Sequence, residues 1–101
     1  MKARIRIHKN ELDGFCQRHR IRRLALFGSV LRADFGSRSD VDVLVEFEEG
    51  ARVGLFELYD MEQELSHLLG GRKVDMNTPK SLSKYFRDQV LQEAEEQYVQ
   101  A

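Results

Sequence analysis

The sequence predicts a small α+β fold in which helices pack on one mixed β-sheet. Three short apolar runs have strand character, namely residues 24–27, 41–47 and 73–76. Between them the apolar residues recur at helical spacing, most regularly over residues 54–69. Because the connections between successive strands are long, we expect a mixed sheet covered by helices and not a meander of hairpins.

The size and composition of the chain limit its class. With 101 residues we expect one domain, spanning residues 1–101, with a small core. The formal net charge is −1, so no overall basic bias points to direct nucleic-acid binding. No apolar stretch approaches transmembrane length. A single cysteine, Cys16, excludes an internal disulfide and fits a reducing cytoplasm.

The first half of the chain is predicted to hold two helical segments. Residues 9–19 form a helix with Asn10 as its N-cap, and Cys16 lies on the apolar side as a small core residue. The strand at residues 24–27 follows. The basic, glycine-bearing segment 30–38 is expected to be a short helix and then a loop.

The second half is predicted to contain the two longer helices. The helix over residues 54–69 ends before Gly70, which suits the left-handed C′ position. After the strand at residues 73–76, Pro79 can start a helical turn, and the last helix spans residues 83–97. The expected order is therefore helix, strand, short helix, strand, helix, strand, helix.

Asp40 and Asp42 are two carboxylates set one residue apart in a strand that is otherwise apolar. Residues i and i+2 of a strand face the same way, with Cα atoms about 6.5 Å apart. Like charges this close repel, and Mg²⁺ is a natural partner because it is held by one or two carboxylates plus substrate phosphates. Upstream, Gly28-Ser29 suits a tight turn near phosphate. Taken singly, each motif also has an ordinary interpretation, as solvated charges or a common turn.

Asp75 is a third carboxylate on a predicted strand. If that strand lies beside the one that carries Asp40 and Asp42, the three side chains can meet, since neighbouring strands are about 4.8 Å apart. Three carboxylates of this kind could surround two metal ions about 3.5–4 Å apart. The pattern therefore favours a metal-dependent nucleotide site.

A family resemblance rests on these residues together. Gly28-Ser29-x-x-Arg32, Ser39-Asp40-x-Asp42 and Val74-Asp75 resemble the nucleotidyltransferase superfamily whose fold is shared with DNA polymerase β. The length and the run Val74-Asp75-Met76-Asn77-Thr78-Pro79 resemble the minimal nucleotidyltransferase (MNT) antitoxins, which are encoded beside HEPN-domain toxins. The resemblance covers the chain from Leu24 through the final helix.

The resemblance implies a polymerase β-like core, two Mg²⁺ ions, ATP as donor and transfer of AMP to a hydroxyl. It implies that Asp40 and Asp42 bind both metals, and that Asp75 binds the catalytic metal and assists deprotonation. Gly28 and Ser29 would bind the triphosphate. For Arg32 it implies a phosphate or partner contact, while Ser39 matches the motif serine and is expected to form the turn. The sequence departs from the family where Leu31-Arg32-Ala33-Asp34 replaces the usual Ala-Arg-Gly-Glu, which bears on the loop and not on the metal ligands.

The function implied is that of an antitoxin that transfers AMP to a partner HEPN ribonuclease, at a tyrosine hydroxyl, within a hetero-oligomer. Two alternatives remain at this point. One is a non-catalytic antitoxin that blocks its toxin by binding, and the other is a transferase acting on a small molecule such as an aminoglycoside. The short chain favours a protein acceptor, because the small-molecule enzymes usually carry an additional helical domain.

Several other features have both a structural and a functional interpretation. The basic cluster Arg18–Arg23 is expected to be a solvated helix end, or else a contact for an acidic partner or RNA. Glu93, Glu95 and Glu96 crowd the end of the last predicted helix, as a solvated face or a docking surface. His67 is interpreted as a helix-surface residue. Tyr59 and Tyr85 could stack on a base, but each fits the edge of a packed helix better.

Overall fold

A four-stranded mixed sheet with helices packed against it forms the described part of the chain, residues 7–31, 36 and 40–100 of the computed structural model. The elements in chain order are α1 (Lys9–Arg18), β1 (Ile21–Phe27), a 3₁₀ turn (Gly28–Leu31), β2 (Val41–Phe47), α2 (Leu55–Leu68), β3 (Val74–Asn77), a second 3₁₀ turn (Pro79–Ser81), α3 (Arg87–Glu93) and β4 (Glu95–Val99). The predicted α+β class is confirmed.

The strands lie in the order β3-β2-β1-β4. β1 is antiparallel to both β2 and β4, whereas β2 and β3 are parallel. A parallel pair needs a crossover connection, and α2 supplies it between β2 and β3. The mixed sheet predicted from the long connections is therefore present.

The core lies between one face of the sheet and the helices α1 and α2. Alternation along β2 places Val41, Val43 and Val45 on this face, and all three are fully buried. Phe15 and Cys16 of α1 pack into the same core, as the apolar stripe of the first helix predicts. The alternate residues of β2, which include Asp42, point to the opposite face.

The helix boundaries agree closely with the sequence pattern for α1 and α2. The N-cap of α1 is His8 and not the predicted Asn10, which lies inside the first turn. α2 ends at Leu68, and Gly70 adopts φ 76°, the left-handed conformation expected just beyond a helix. Its N–H donates to the carbonyl of His67, and Gly71 N–H donates to that of Ser66. None of the described helices is long and apolar enough to cross a membrane.

The prediction of one long helix over residues 83–97 is wrong. α3 ends at Glu93, Ala94 leaves the helical conformation with ψ 132°, and the chain continues as β4, a fourth strand. Tyr98 is buried there as the register partner of Leu24. The helical spacing of the apolar residues misleads because β1 offers a second open edge, and main-chain pairing with that edge outweighs local helical preference.

The basic cluster is also placed differently from the prediction. Arg22 and Arg23 lie on β1, where they pair with Glu46 of β2, and Arg23 Nε donates to Glu96 of β4 at 2.7 Å. Arg18 and His19 remain at the end of α1, where both contact Glu64. A solvated helix end is therefore the wrong description for most of this cluster, because cross-strand carboxylates partner its arginines.

The predicted position of Glu95 and Glu96 at a helix end is also wrong, because both residues lie on β4, which pairs with β1. Glu95 and Glu96 lie on β4, so the helix macrodipole does not act on them as the predicted helix end would require. Glu93 alone ends α3. Among the other predicted positions, Cys16 is buried and His67 is exposed. Tyr59 and Tyr85 are not at packed edges, since they are 59% and 88% exposed.

Candidate active site

Asp42 and Asp75 lie opposite each other on the two parallel strands. β2 and β3 pair in the register Val41 with Val74, Asp42 with Asp75 and Val43 with Met76. Residues in register on neighbouring strands share a face of the sheet about 4.8 Å apart. The apolar neighbours of both aspartates are buried on the other face, so both carboxylates belong to the face away from α1 and α2. The condition on which Asp75 could join the aspartate pair, that its strand lies beside β2, is therefore met.

Gly28 lies directly against Asp42. It follows the last residue of β1, Phe27, which is itself the register partner of Asp42. Gly28 has φ 75°, and a Cβ placed on it would lie 2.3 Å from Oδ2 of Asp42. A side chain cannot fit there without moving the carboxylate. The turn is therefore closed tightly enough over Asp42 that only glycine is accommodated.

Asp40 immediately precedes β2 and is exposed. The alternation of the strand places it two residues from Asp42, on the same side, if the extended conformation continues back to it. Within the described residues, no group of three or more His, Cys, Asp or Glu side chains is arranged to hold a metal ion. The two aspartates in register, Asp42 and Asp75, are thus the pair that the sheet itself aligns.

The remaining predicted binding residues lie in or beside the connection between β1 and β2. Ser29 is in the 3₁₀ turn Gly28–Leu31, whereas Arg32 and Ser39 lie outside the described residues. Gly36 is the described residue of that intervening segment, and its carbonyl accepts a hydrogen bond from Arg72 Nη1 at 2.9 Å. The chain just before β3 therefore contacts the connection that leads to Asp40.

A cavity in the described part of the chain lies away from the aspartates. It measures about 540 Å³ and lies where β2 ends and α2 begins, with Phe47, Val53, Leu58 and Lys80 among its lining residues. None of the predicted site residues that the structure describes lines it. Asp42 lies toward the other end of β2 and is half-buried, and we base the candidate site on the register and chemistry there and not on concavity.

Glu62 is a residue that the sequence interpretation did not single out. It lies in α2 among apolar residues that face the core, and its Oε2 accepts a hydrogen bond from the N–H of Met76 at 2.8 Å. Met76 directly follows Asp75. The signal was present in the sequence, because an acid interrupts the stripe made by Leu58, Met61 and Leu65.

Comparison with known proteins identifies the family of this chain. The nucleotidyltransferase domain family matches residues 9–96. The chain belongs to this nucleotidyltransferase family. It is similar to the protein adenylyltransferase MntA of Thermococcus cleftensis, with 38% identity over 86 residues that cover 85% of this chain and 81% of that protein.

Solved structures show the same fold. A structure described as that of a candidate minimal nucleotidyltransferase matches with 37% identity and a TM-score of 0.69, covering 85% of each chain. A toxin–antitoxin complex with AMP-PNP matches with a TM-score of 0.73 and 19% identity over 93% of this chain and 75% of that one. A tri-AMPylated Shewanella oneidensis HEPN toxin in complex with an MNT antitoxin matches with a TM-score of 0.64 and 19% identity, over 91% and 70% of the two chains.

Proposed function

We propose that this chain is an antitoxin that transfers AMP from ATP to a hydroxyl group of a partner HEPN toxin. We expect the acceptor to be a tyrosine hydroxyl. The observation that carries the proposal is the alignment of Asp42 with Asp75 beneath the Gly28 turn, in a chain of the nucleotidyltransferase family. The similar proteins that are named for adenylyl transfer, and those solved with a HEPN toxin, support the choice of reaction and partner. Residues 1–101 would act as one minimal domain in the cytoplasm, in a hetero-oligomer with the toxin.

The chain's own residues have distinct tasks in this reaction. Gly28 and Ser29 would bind the triphosphate through their backbone N–H groups, in the turn where Gly28 lies against the Asp42 carboxylate. Asp75 is exposed and stands beside Asp42, so it can take the proton of an approaching acceptor hydroxyl. Ser39 would form the turn before Asp40, and Arg32 would contact phosphate or partner. The protein's main contribution is to position these groups before the reactants arrive.

Mg²⁺ fits the residues present at this site. Asp42 and Asp75 supply hard oxygen donors in register, with Asp40 as the third, and Mg²⁺ typically combines one or two carboxylates with substrate phosphates. Bound at Asp40, Asp42 and Asp75, two Mg²⁺ ions would neutralise the triphosphate and lower the pKa of the acceptor. Asp75 is exposed on the edge strand, so a nucleotide could complete the metal coordination from that side.

Two other functions make different predictions. A non-catalytic antitoxin would bind its toxin without needing the aspartates or ATP. A transferase for a small hydroxylated molecule would need an enclosed pocket beside the aspartates, and the sizeable cavity described lies at the other end of β2. We favour adenylyl transfer to a protein, because Asp75 is exposed to an approaching acceptor and the similar proteins are named for that reaction.

The deciding experiment is intact-mass spectrometry of the genetically neighbouring HEPN protein after incubation with this chain, ATP and Mg²⁺. We expect the neighbour to gain one or more AMP units. The Asp40→Ala/Asp42→Ala variant should give no gain, while Asp60→Ala, an exposed acid on α2 away from the sheet, serves as the matched control and should behave like wild type.

Each other outcome contradicts the proposal in a specific way. A stable complex without any mass gain would point to neutralisation by binding alone. Neither complex nor mass gain would lead back to a small-molecule acceptor. A mass gain that survives in the double variant would remove the aspartates from the mechanism.

A further inference from the structure

Glu62 occupies a position in α2 where the pattern calls for an apolar residue. Leu58, Met61 and Leu65 follow helical spacing and pack against the core. Glu62 lies within this stripe and is only partly exposed. A carboxylate on a packing face is unfavourable unless a hydrogen bond compensates for its loss of water. The Met76 N–H, 2.8 Å from Oε2, supplies that bond.

The bonded N–H belongs to the outer edge of the sheet. Among the strands that the structure describes, β3 lies at the edge of the sheet, with β2 on one side. The carbonyl of Lys73 accepts from Val41 N–H, so the odd-numbered residues of this segment direct their main-chain groups toward β2. By alternation, the N–H of Met76 points away from β2. Glu62 thus takes the place that a further strand would occupy at this position.

The same N–H is rigidly connected to Asp75. The C=O of Asp75 and the N–H of Met76 lie in one planar peptide unit, and that unit includes the Cα atom of Asp75. Glu62 holds the N–H of the unit, and Asn77 Nδ2 donates to its carbonyl at 3.2 Å. Register with Asp42 fixes the inner side of β3. The backbone that carries the Asp75 carboxylate is therefore held from both sides.

We propose that Glu62 is a positioning residue for nucleotidyl transfer: by binding the Asp75–Met76 peptide unit at the open edge, it holds the Asp75 carboxylate in line with Asp42. This inference rests on the proposed function, since it takes Asp75 as a metal ligand. Glu62 touches neither substrate nor metal and acts through the β3 backbone. Removal of a residue that orients a metal ligand typically lowers metal affinity or activity by about 10- to 100-fold.

The test compares wild type with Glu62→Leu, Glu62→Gln and the control Gln63→Leu, which places the same side chain at the next, exposed position of α2. Three quantities are measured for each: kcat for transfer to the HEPN partner, the Mg²⁺ concentration at half-maximal rate, and Mn²⁺ affinity without ATP. Amide hydrogen exchange at Met76 gives a readout that is independent of activity. Thermal unfolding checks the fold.

We expect Glu62→Leu to need roughly tenfold more Mg²⁺, to bind Mn²⁺ about tenfold more weakly and to exchange the Met76 amide about tenfold faster. Glu62→Gln should stay within about threefold of wild type, because its amide oxygen still accepts the bond. The KM for ATP should change less than the metal requirement. Gln63→Leu should match wild type in every readout.

The outcomes separate this inference from the proposed function. An unchanged metal requirement in folded Glu62→Leu would overturn the inference while the function stands. If Glu62→Leu does not fold, Glu62→Gln provides the test. Loss of Mn²⁺ affinity in Glu62→Gln would overturn the inference, because this variant keeps the hydrogen-bond acceptor and loses only the charge. If the wild-type chain neither transfers AMP nor binds Mn²⁺, both the proposed function and this inference are overturned, irrespective of the amide hydrogen exchange rate at Met76.

Discussion

A Cβ atom on Gly28 would lie 2.3 Å from Oδ2 of Asp42, the residue whose neighbour on β1 is Phe27. This contact links the turn after β1 to the carboxylate on β2. The obstructing atom, Oδ2, is at the far end of the Asp42 side chain, so this side chain can rotate away from an added Cβ. The fold would then be kept, but the Asp42 carboxylate would leave its position in the site. We therefore expect Gly28→Ala to abolish AMP transfer, as measured by intact mass, while unfolding cooperatively with a loss of about 1–3 kcal/mol.

Substitutions at two other glycines distinguish the effect of backbone strain from that of the contact with Asp42. Gly50 also has a positive φ, 85°, but nothing lies within 4 Å of a Cβ placed there. Gly50→Ala should therefore lose about 1 kcal/mol of stability through backbone strain and keep its activity. Gly14 lies inside α1 with the same open surroundings, and Gly14→Ala should gain about 0.5–1 kcal/mol. An inactive Gly50→Ala would show that strain alone explains the Gly28 result.

Asp42 is expected to be essential for activity and dispensable for folding. It stands in register with Asp75, and like charges directly opposite each other on neighbouring strands are destabilising by a few tenths of a kcal/mol. Asp42→Ala should lose transfer yet keep, or slightly raise, the free energy of unfolding measured with urea. Full Mg²⁺-dependent activity in this variant would contradict the assignment of Asp42 to the active site.

Tyr98 anchors β4 to the sheet. Its side chain is 9% exposed and pairs with Leu24, whereas Val99 next to it is 58% exposed. Tyr98→Ala should cost about 3 kcal/mol, because it removes a buried aromatic side chain. Val99→Ala should cost less than about 0.5 kcal/mol. Equal effects in thermal unfolding would argue against β4 as a structural strand.

The thiol of Cys16 titrates far above its usual range. Burial raises its pKa from 9.0 to about 12, and the nearby carboxylate of Asp13 adds to the shift. Above pH 9 the unfolded thiol loses its proton while the folded one keeps it, so stability falls as pH rises from 9 toward 12. The folded protein should also resist thiol reagents at pH 8.

The measurement compares wild type with Cys16→Ala, since other groups titrate in the same range. Wild type should lose up to about 1.4 kcal/mol more than the variant between pH 8 and pH 10. Parallel pH curves for the two proteins would show that the thiol ionises equally in both states.

Glu96 and Glu93 should respond differently to charge reversal. Glu96 accepts from Arg23 Nε at 2.7 Å across β1 and β4, so Glu96→Lys should lose about 1 kcal/mol, limited by solvent exposure of the pair. Glu93 ends α3, where the macrodipole favours a cation, and Glu93→Lys should be neutral or gain a few tenths of a kcal/mol. Unfolding by urea measures both.

The same two variants test whether the acids dock a partner. Glu93→Lys is the informative one, because Glu96→Lys also disturbs β4. If Glu93→Lys binds the HEPN protein as wild type does, in a pull-down at matched salt, this acid takes no part in docking.

The local sequence pattern was sufficient to predict an element where a single conformational preference determined it. The burial of Val41, Val43 and Val45 follows from strict alternation, and the end of α2 follows from Gly70, which accepts the left-handed conformation. The pattern failed over residues 83–97, where apolar spacing suited a helix. There the unsatisfied edge of β1 decided the outcome, and an edge is a property of the assembled sheet.

For the site, the sequence by itself determined the kind of chemistry: closely spaced carboxylates and a glycine turn, in an order that matches a nucleotidyltransferase family. Only the tertiary structure decided that Asp42 stands opposite Asp75, that Gly28 closes on Asp42, and that Glu62 holds the peptide next to Asp75. These relationships depend on strand order and register. Register depends on which apolar faces of segments far apart in the chain are buried together, so the residue spacing within one strand does not determine it.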